Sequence, residues 1–415
     1  MNIKKTTLEN GLDIILIKNR FSESFSFQLW VKAGSRNEET SKTGLSHMLE
    51  HMMFKGSKNF GPQKHAQIIQ ANGGELNAFT SNDKTVFYDN MSSDKLETAV
   101  KLEADRFINL SLDEKEFLPE REVVYEERRL RTDNSPYGKA IEMLFALSFI
   151  AHPYHWPVIG WSSDIENWSI EDIRDYYKKW YNPQNVFIVL SGNYNDTEAI
   201  PLIKKYFGRW RKQDVPKLRI SKEPEQEGER LSTINMDVKI PFVFASYIIP
   251  EYSSEDSPVF DIIEKILSGG ESSRIYKELV YNERLALSAG GGVYSFKDYG
   301  LFFTYGLQNK EKNIMILKDK LLNLIENLKN SKIDSIEIEK AKNQLKAEIV
   351  EKTEKNFSMG MLVGDSYFYT GELEYYKKLL DRYSMIKESE IKDVLSRYFS
   401  RDKRNIVMIL AKGDK

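Results

Sequence analysis

Cysteine is absent from all 415 residues. Disulfides and thiolate ligands are thereby excluded, and any bound metal must be held by nitrogen and oxygen. Long apolar runs are also missing: no stretch reaches the roughly 18 apolar residues that a membrane-spanning helix needs. The start, Met1-Asn2-Ile3-Lys4-Lys5-Thr6-Thr7-Leu8, has no apolar core after its lysines. It does not read as a secretory signal, so the chain as given is expected in the cytoplasm, although removal of a leader would leave the same sequence. Neither sign of charge dominates, with 60 Lys and Arg against 62 Asp and Glu and a net charge of −2. That balance gives no ground for nucleic acid or an anionic membrane as a partner.

What is present reads as globular, with 41% hydrophobic and 29% charged residues. The length exceeds what one ordinary core accommodates, so two or more domains are expected. Histidine is scarce, at five residues. Two of the five lie in Gly44-Leu45-Ser46-His47-Met48-Leu49-Glu50-His51-Met52-Met53-Phe54-Lys55-Gly56. If this stretch is helical, His47 and His51 at i and i+4 project from one face and can close on one metal ion. Glu50 lies one residue round, beside the ion but free to stay off it. Ser41 or Thr43 suits the start of such a helix and Gly56 the stop. Two imidazoles and a carboxylate able to take a proton are parts of a hydrolytic zinc site. The order His-x-x-Glu-His inverts the more common His-Glu-x-x-His zinc-protease motif.

Around this stretch, residues 4–18 read as two extended segments joined at Asn10-Gly11, a strong hairpin signal. Ser24 to Ala33 alternates, which places Phe25, Phe27, Leu29 and Val31 on one buried strand face. A short helix is expected near Gln63–Asn72. Gly73 to Asp89 reads as a hairpin turning at Ser81-Asn82-Asp83-Lys84, with its first strand at a sheet edge. A helix follows at 94–110. The next, at about 117–131, tolerates Pro119 in its first turn. Glu120 and Glu127 share its inward face with Val123 and Val124. Buried carboxylates need partners, and a two-histidine site needs a third ligand, for which either glutamate is a candidate at this point. His152 and His155, among Pro153 and Pro157, read as loop packing rather than a second metal site.

A helix at 169–180 leads to the buried strand 185–192. Residues 212–230 are charged and broken by Pro216, Pro224 and Gly228, as an interdomain linker would be. The second half then repeats the first in outline. Asn405-Ile406-Val407-Met408-Ile409-Leu410 echoes Asn185-Val186-Phe187-Ile188-Val189-Leu190. Likewise Phe242–Ile249 followed by a helix at 256–268 echoes Phe25–Ala33 followed by the metal helix. No histidine follows His155, so the second copy cannot repeat the metal motif. The division expected is 1–211, a linker at 212–230, and 231–415.

Three motifs together resemble the insulinase/pitrilysin family of zinc metallopeptidases. They are His47-x-x-Glu50-His51, Gly73-Gly74-x-x-Asn77-Ala78-Phe79-Thr80-Ser81, and Glu120-Arg121-Glu122-Val123-Val124-x-x-Glu127. The resemblance covers nearly the whole chain. It implies an α+β fold with two structurally repeated domains, each a mainly antiparallel sheet covered by helices, the pair facing one another as half of a clamshell. It implies one Zn2+ per chain, held by His47, His51 and Glu127, with Glu50 as the general base of peptide hydrolysis. Glu126 points about 100° away from Glu127 on a helix and is the poorer candidate. Glu120 would act from the outer shell. An extended, unstructured peptide would add to the strand at Asn77, Ala78, Phe79 and Thr80.

One stretch departs from the family pattern. Members that act alone carry an arginine and a tyrosine seven apart in the second half, and Val280 and Leu287 stand at those positions here. Neither can donate a hydrogen bond to substrate. The expectation is therefore a heterodimer with a homologous subunit that supplies both groups. In the alternative, a homodimer, Tyr281 or Arg284 substitutes. A chamber-forming or peptide-holding subunit without turnover is the rival function.

Overall fold

A computed structural model describes residues 2–310 and 312–413. The chain forms two compact units, and neither is contiguous. The first comprises residues 1–129, 156–220 and 352–373, the second residues 130–155, 221–351 and 374–415.

The first unit is built on a six-stranded sheet. Its strands are β1 (Asn2–Thr7), β2 (Asp13–Lys18), β3 (Ser24–Val31), β4 (Glu75–Thr80), β5 (Thr85–Ser92) and β6 (Val186–Gly192), in the order β1-β2-β6-β3-β5-β4. Only the β2–β6 pair is parallel. The hairpin at Asn10-Gly11 forms, with Gly11 at φ 89° where a side chain would be strained. Four helices belong to the site described below: α1 (Leu45–Met52), α2 (Lys64–Ala71), α3 (Leu96–Ile108) and α4 (Glu114–Arg128).

Strand β3 differs from the expected half-buried pattern. Phe25, Phe27, Leu29 and Val31 face the core, but Ser26, Gln28 and Trp30 on the opposite face are buried as well. The helix Asn356–Thr370 covers that second face. The Gln28 side-chain amide donates to the Phe357 carbonyl at 3.0 Å, and Gly360 and Gly364 let the helix approach Gln28 and Trp30. A cover contributed from more than 300 residues downstream leaves no trace in the alternation of the strand itself.

The second unit holds a five-stranded sheet of β7 (Arg230–Met236), β8 (Phe242–Pro250), β9 (Ala286–Ser295), β10 (Tyr299–Gln308) and β11 (Arg404–Ala411), in the order β7-β11-β8-β10-β9. Its one parallel pair is β7–β11. This order and these directions match β2-β6-β3-β5-β4 strand for strand, so the repeat read between the two halves is a repeat of topology. Helix α5 (Pro136–Ser148) comes from the first half of the sequence. Its Ala140 and Leu144 join Phe244, Val407 and Ile409 in the core of the second unit.

The contiguous division expected at 211 and 231 is thus corrected. Each sheet takes a covering helix from the other half of the sequence, because a sheet buried on both faces needs one more apolar helix than its own segment supplies. Residues 212–230 are also not a loose linker. Val215 and Leu218 pack on the first core. The Glu223 carboxylate accepts the backbone N–H groups of Ile150, Ala151 and His152 at 2.9–3.0 Å. No described helix is long and apolar enough to cross a membrane.

Candidate metal centre

Helix α1 is short, and its direction is set by burial. Leu45, Met48, Leu49 and Met52 recur at helical spacing and are all within 3% of full burial. That apolar stripe leaves His47 and His51 together on the other side. Their rings stand 4.7 Å apart, edge to face.

The start of α1 differs from expectation. Neither Ser41 nor Thr43 caps it. Ser41 is itself in the left-handed region at φ 70°, and the Thr43 hydroxyl donates to Asp164 at 2.6 Å. The N-cap position is Gly44, at φ 88°. A Cβ there would lie 2.4 Å from the Ile159 carbonyl oxygen, so only glycine fits. The helix ends at Met52, with Met53 as its C-cap, ahead of Gly56, which takes φ 110°.

Helix α4 begins earlier than expected. Asp113 caps it by accepting the Lys115 N–H at 3.0 Å, so Pro119 lies inside the helix rather than in its first turn. Phe117, Glu120, Val124 and Arg128 form the buried face. Val123, expected inward, is 50% exposed. The i, i+4 row from Glu120 runs through Val124, and Val123 falls to its side, where it is only half covered. Arg128 anchors the end of α4 by donating to the Gly160 carbonyl at 2.6 Å and to Ser162 Oγ at 2.8 Å.

This docking brings Glu127 to the histidines. Its Oε2 lies 3.4 Å from His51 Nε2 and 3.8 Å from His47 Nε2, and one donor atom from each of the three residues falls within 4.8 Å of the others. Donors bound at about 2.0–2.2 Å around one tetrahedral ion stand about 3.3–3.6 Å apart. Two imidazole nitrogens and one carboxylate oxygen at these separations therefore suit a zinc ion as a donor set. Glu126 turns away to pair with Arg129 at 2.8 Å.

Glu120 is not among these donors. Its Oε1 meets His51 Nδ1 at 2.8 Å, on the side of the ring opposite Glu127. Its other oxygen pairs with Lys55. Burial alone would raise the Glu120 carboxyl, but the His51 and Lys55 hydrogen bonds hold it below the usual range. Burial likewise opposes the charged form of His51, yet the carboxylates of Glu120 and Glu127 outweigh it and push the ring up to about 9. A metal ion held by His51 would have to displace a proton from this ring.

Glu50 borders the same space. Burial raises its carboxyl, with the Glu127 charge adding to the rise, while the Thr80 hydroxyl and His51 oppose it. The Thr80 Oγ1 donates to Glu50 Oε2 at 2.5 Å. Thr80 is the last residue of β4, and β4 is the sheet edge, paired only with β5. One row of its main-chain N–H and C=O groups therefore faces away from the sheet. Asn77 is exposed on this strand, while Ala78, Phe79 and Thr80 are partly covered. The Asn77 side-chain Oδ1 accepts the Ala78 N–H at 2.9 Å.

Sequence reasoning assigned Thr80 only a main-chain role and overlooked Lys55. The lysine is four positions beyond His51, a spacing that could have exposed it had the helix been extended by one turn.

A second group of metal-capable side chains among the described residues is His65, Asp89 and Glu103. It closes differently. Arg106 engages both oxygens of Glu103, one through Nε at 3.0 Å, and its guanidinium lies over Phe54 and Phe87. Burial pushes Asp89 and Glu103 each up to about 7, and burial with the Arg106 charge pushes His65 down to about 3. The raised proton affinity of the two carboxyls and the Arg106 charge beside them disfavour a divalent ion in this dry interior. His152 and His155 form no metal cluster. His152 Nε2 meets Asp298 at 3.0 Å, its Nδ1 accepts the Tyr154 N–H, and His155 Nδ1 lies 2.8 Å from the His152 carbonyl oxygen.

In the second unit, Val280 lies in the π-helical turn Tyr276–Asn282. Leu287 is on the edge strand β9 and is 48% exposed, and Tyr281, next to Val280 in the chain, is 73% exposed. Arg284 takes φ 51°, with its carbonyl oxygen accepting from Asn309.

Comparison with known proteins agrees with this architecture. Residues 13–159 match the model described as "Insulinase (Peptidase family M16)", and residues 167–345 match the "Peptidase M16 inactive domain". The chain is 32% identical to the zinc protease PqqE of Helicobacter pylori, over 98% of this chain and 92% of that one. It is 26% identical to the uncharacterized zinc protease YmxG of Bacillus subtilis, over 96% of each. The crystal structure of a protease from Helicobacter pylori, also 32% identical, superposes with a TM-score of 0.95 over 98% of this chain and 99% of that one. With two repeated α+β units and these relatives along its whole length, the chain belongs to the insulinase family of peptidases, M16.

Proposed function

We propose that this chain is a zinc-dependent endopeptidase that cleaves extended, unstructured peptide segments. The observation that carries the reading is the convergence of His47, His51 and Glu127 within 4.8 Å, with the Glu50 carboxylate beside them and off the ligand set. A zinc ion held there supplies Lewis-acid chemistry, lowering the pKa of a bound water to about 7 and polarising the scissile carbonyl.

The remaining work falls to the chain. Glu50 accepts the proton of the attacking water and delivers it to the departing amine nitrogen. Its raised proton affinity suits both halves of that transfer, and the Thr80 hydroxyl fixes its direction. Glu120 orients the His51 ring through Nδ1, and Lys55 steadies Glu120. The outward edge of β4 takes the substrate main chain in β-addition at Asn77–Thr80. This mode reads the backbone more than the side chains, so chain extension matters more than a strict sequence.

The subunit proposal rests on Val280 and Leu287, which cannot hydrogen-bond a substrate carbonyl. A homologous subunit supplies the arginine and tyrosine, making this chain the zinc-bearing half of a heterodimer. In a homodimer, the exposed Tyr281 or Arg284 takes their place. The same two positions favour a second reading, a chamber-forming subunit that holds peptide without cleaving it.

Glu50→Gln separates the readings. Under the peptidase reading, the variant keeps its zinc and loses hydrolysis, and wild-type activity rises when the partner chain is added. A wild-type chain that binds peptide and zinc but cleaves nothing, with or without a copurifying subunit, supports the holding role instead.

A further inference from the structure

The first-turn N–H groups of an α-helix lack intrahelical acceptors, and a single serine or aspartate usually satisfies one of them. Helix α1 uses a different device. Glu38, 7% exposed, sends Oε2 to the Gly44 N–H at 2.7 Å and Oε1 to the Ser46 N–H at 2.8 Å. Ser46 is held a second time, its Oγ lying 2.7 Å from the Tyr176 hydroxyl. The next residue is His47.

Capping alone does not require this arrangement. A buried carboxylate is costly to desolvate, and a short polar side chain at the helix start would satisfy a donor at less cost. Two oxygens fixed on the N–H groups of Gly44 and Ser46, two residues apart, do something a single acceptor cannot: they set the rotation of the helix about its axis. Each residue step is about 100° around a helix, so a modest roll of this eight-residue segment would carry His47 away from Glu127. Gly44 adds a fixed pivot, because its backbone is pressed against the Ile159 carbonyl.

We propose that Glu38, with Tyr176 through Ser46, is a positioning residue that sets the roll of the metal helix and so aims His47 at the ion. The inference rests on the metal reading of His47, His51 and Glu127.

The full-length chain tests it through Glu38→Gln, which has the same size but can accept only one of the two N–H groups, and Tyr176→Phe. The readouts are zinc affinity by chelator competition, kcat and KM for a peptide at saturating zinc, and thermal unfolding of the zinc-free protein. Glu38→Gln is expected to weaken zinc binding about 10–100-fold, as loss of a ligand-orienting partner does. It should also lower kcat at unchanged KM, because the substrate edge is untouched. Tyr176→Phe is expected to shift both in the same direction by less, and it decides the matter should Glu38→Gln not fold. A lower unfolding temperature with wild-type zinc affinity and kcat would overturn the proposal and leave Glu38 a purely structural cap. A wild-type chain that takes up no zinc would overturn the metal reading itself, and the role of Glu38 with it.

Discussion

The hydrogen bond from Thr80 to Glu50 offers a sharp test of how the base is held. Thr80→Val keeps the shape of the side chain and the Thr80–Thr85 strand pairing, and removes only the hydroxyl. The lost contact is a short one to a carboxylate, 2.5 Å between Thr80 Oγ1 and Glu50 Oε2. Hydrogen bonds to charged groups contribute about 1.5–3 kcal/mol. At about 1.4 kcal/mol per factor of ten, the full loss corresponds to a roughly 10–150-fold fall in kcat. That range is the upper bound, because the electrostatic pull of His51 and Arg106 on Glu50 remains. Steady-state peptide hydrolysis at saturating zinc measures it, with zinc content determined on the same sample. The expected result is a lower kcat, unchanged zinc stoichiometry, and recovery in Thr80→Ser. A Thr80→Val variant within about twofold of wild type would show that the hydroxyl does not orient the base.

Other outcomes follow from neighbouring contacts. Arg106→Met leaves Glu103 and Asp89 buried without their counter-charge, so unfolding by heat or urea should show a loss of about 3–5 kcal/mol; a change below about 1 kcal/mol would refute the ion-pair description. Lys55→Met frees Glu120 from its second partner, and zinc affinity should fall about tenfold in chelator competition. Burial, with Asp164 nearby, pushes Glu38 up to about 8 from an ordinary 4.5. A folded-state value above the unfolded one means that this stabilising contribution is complete below about pH 4.5 and is lost as pH rises through about 8. Unfolding free energy should therefore fall less steeply with pH in Glu38→Gln than in wild type, by up to about 1.4 kcal/mol per pH unit. Parallel slopes would mean that Glu38 does not titrate in that window.

How much of this was legible beforehand depended on the range over which each signal acts. The pairing of His47 with His51 is written in a spacing of four, and the hairpin that turns just after Thr80 in a run of turn residues, so both were visible locally. The topological repeat was visible because Asn185–Leu190 and Asn405–Leu410 carry the same apolar strand pattern. Glu127 could be singled out from Glu120 only by family resemblance, since helical periodicity places both on one face. The helix Asn356–Thr370 lying over Gln28 and Trp30 was hidden, as was α5 on the second sheet, because each covers strands remote in sequence. Glu38 was hidden for a related reason. Its partners are main-chain N–H groups six and eight residues away across a bend, and such contacts leave no pattern in side-chain type.

The placement of the ion is tested most directly by anomalous scattering at the zinc edge from crystals of the wild-type chain grown with zinc. One peak is expected about 2.0–2.2 Å from a ring nitrogen of His47, a ring nitrogen of His51 and an oxygen of Glu127, and Glu127→Gln should abolish it. A peak at His65, Asp89 and Glu103, or a peak on the two histidines that persists unchanged in Glu127→Gln, would contradict the assignment.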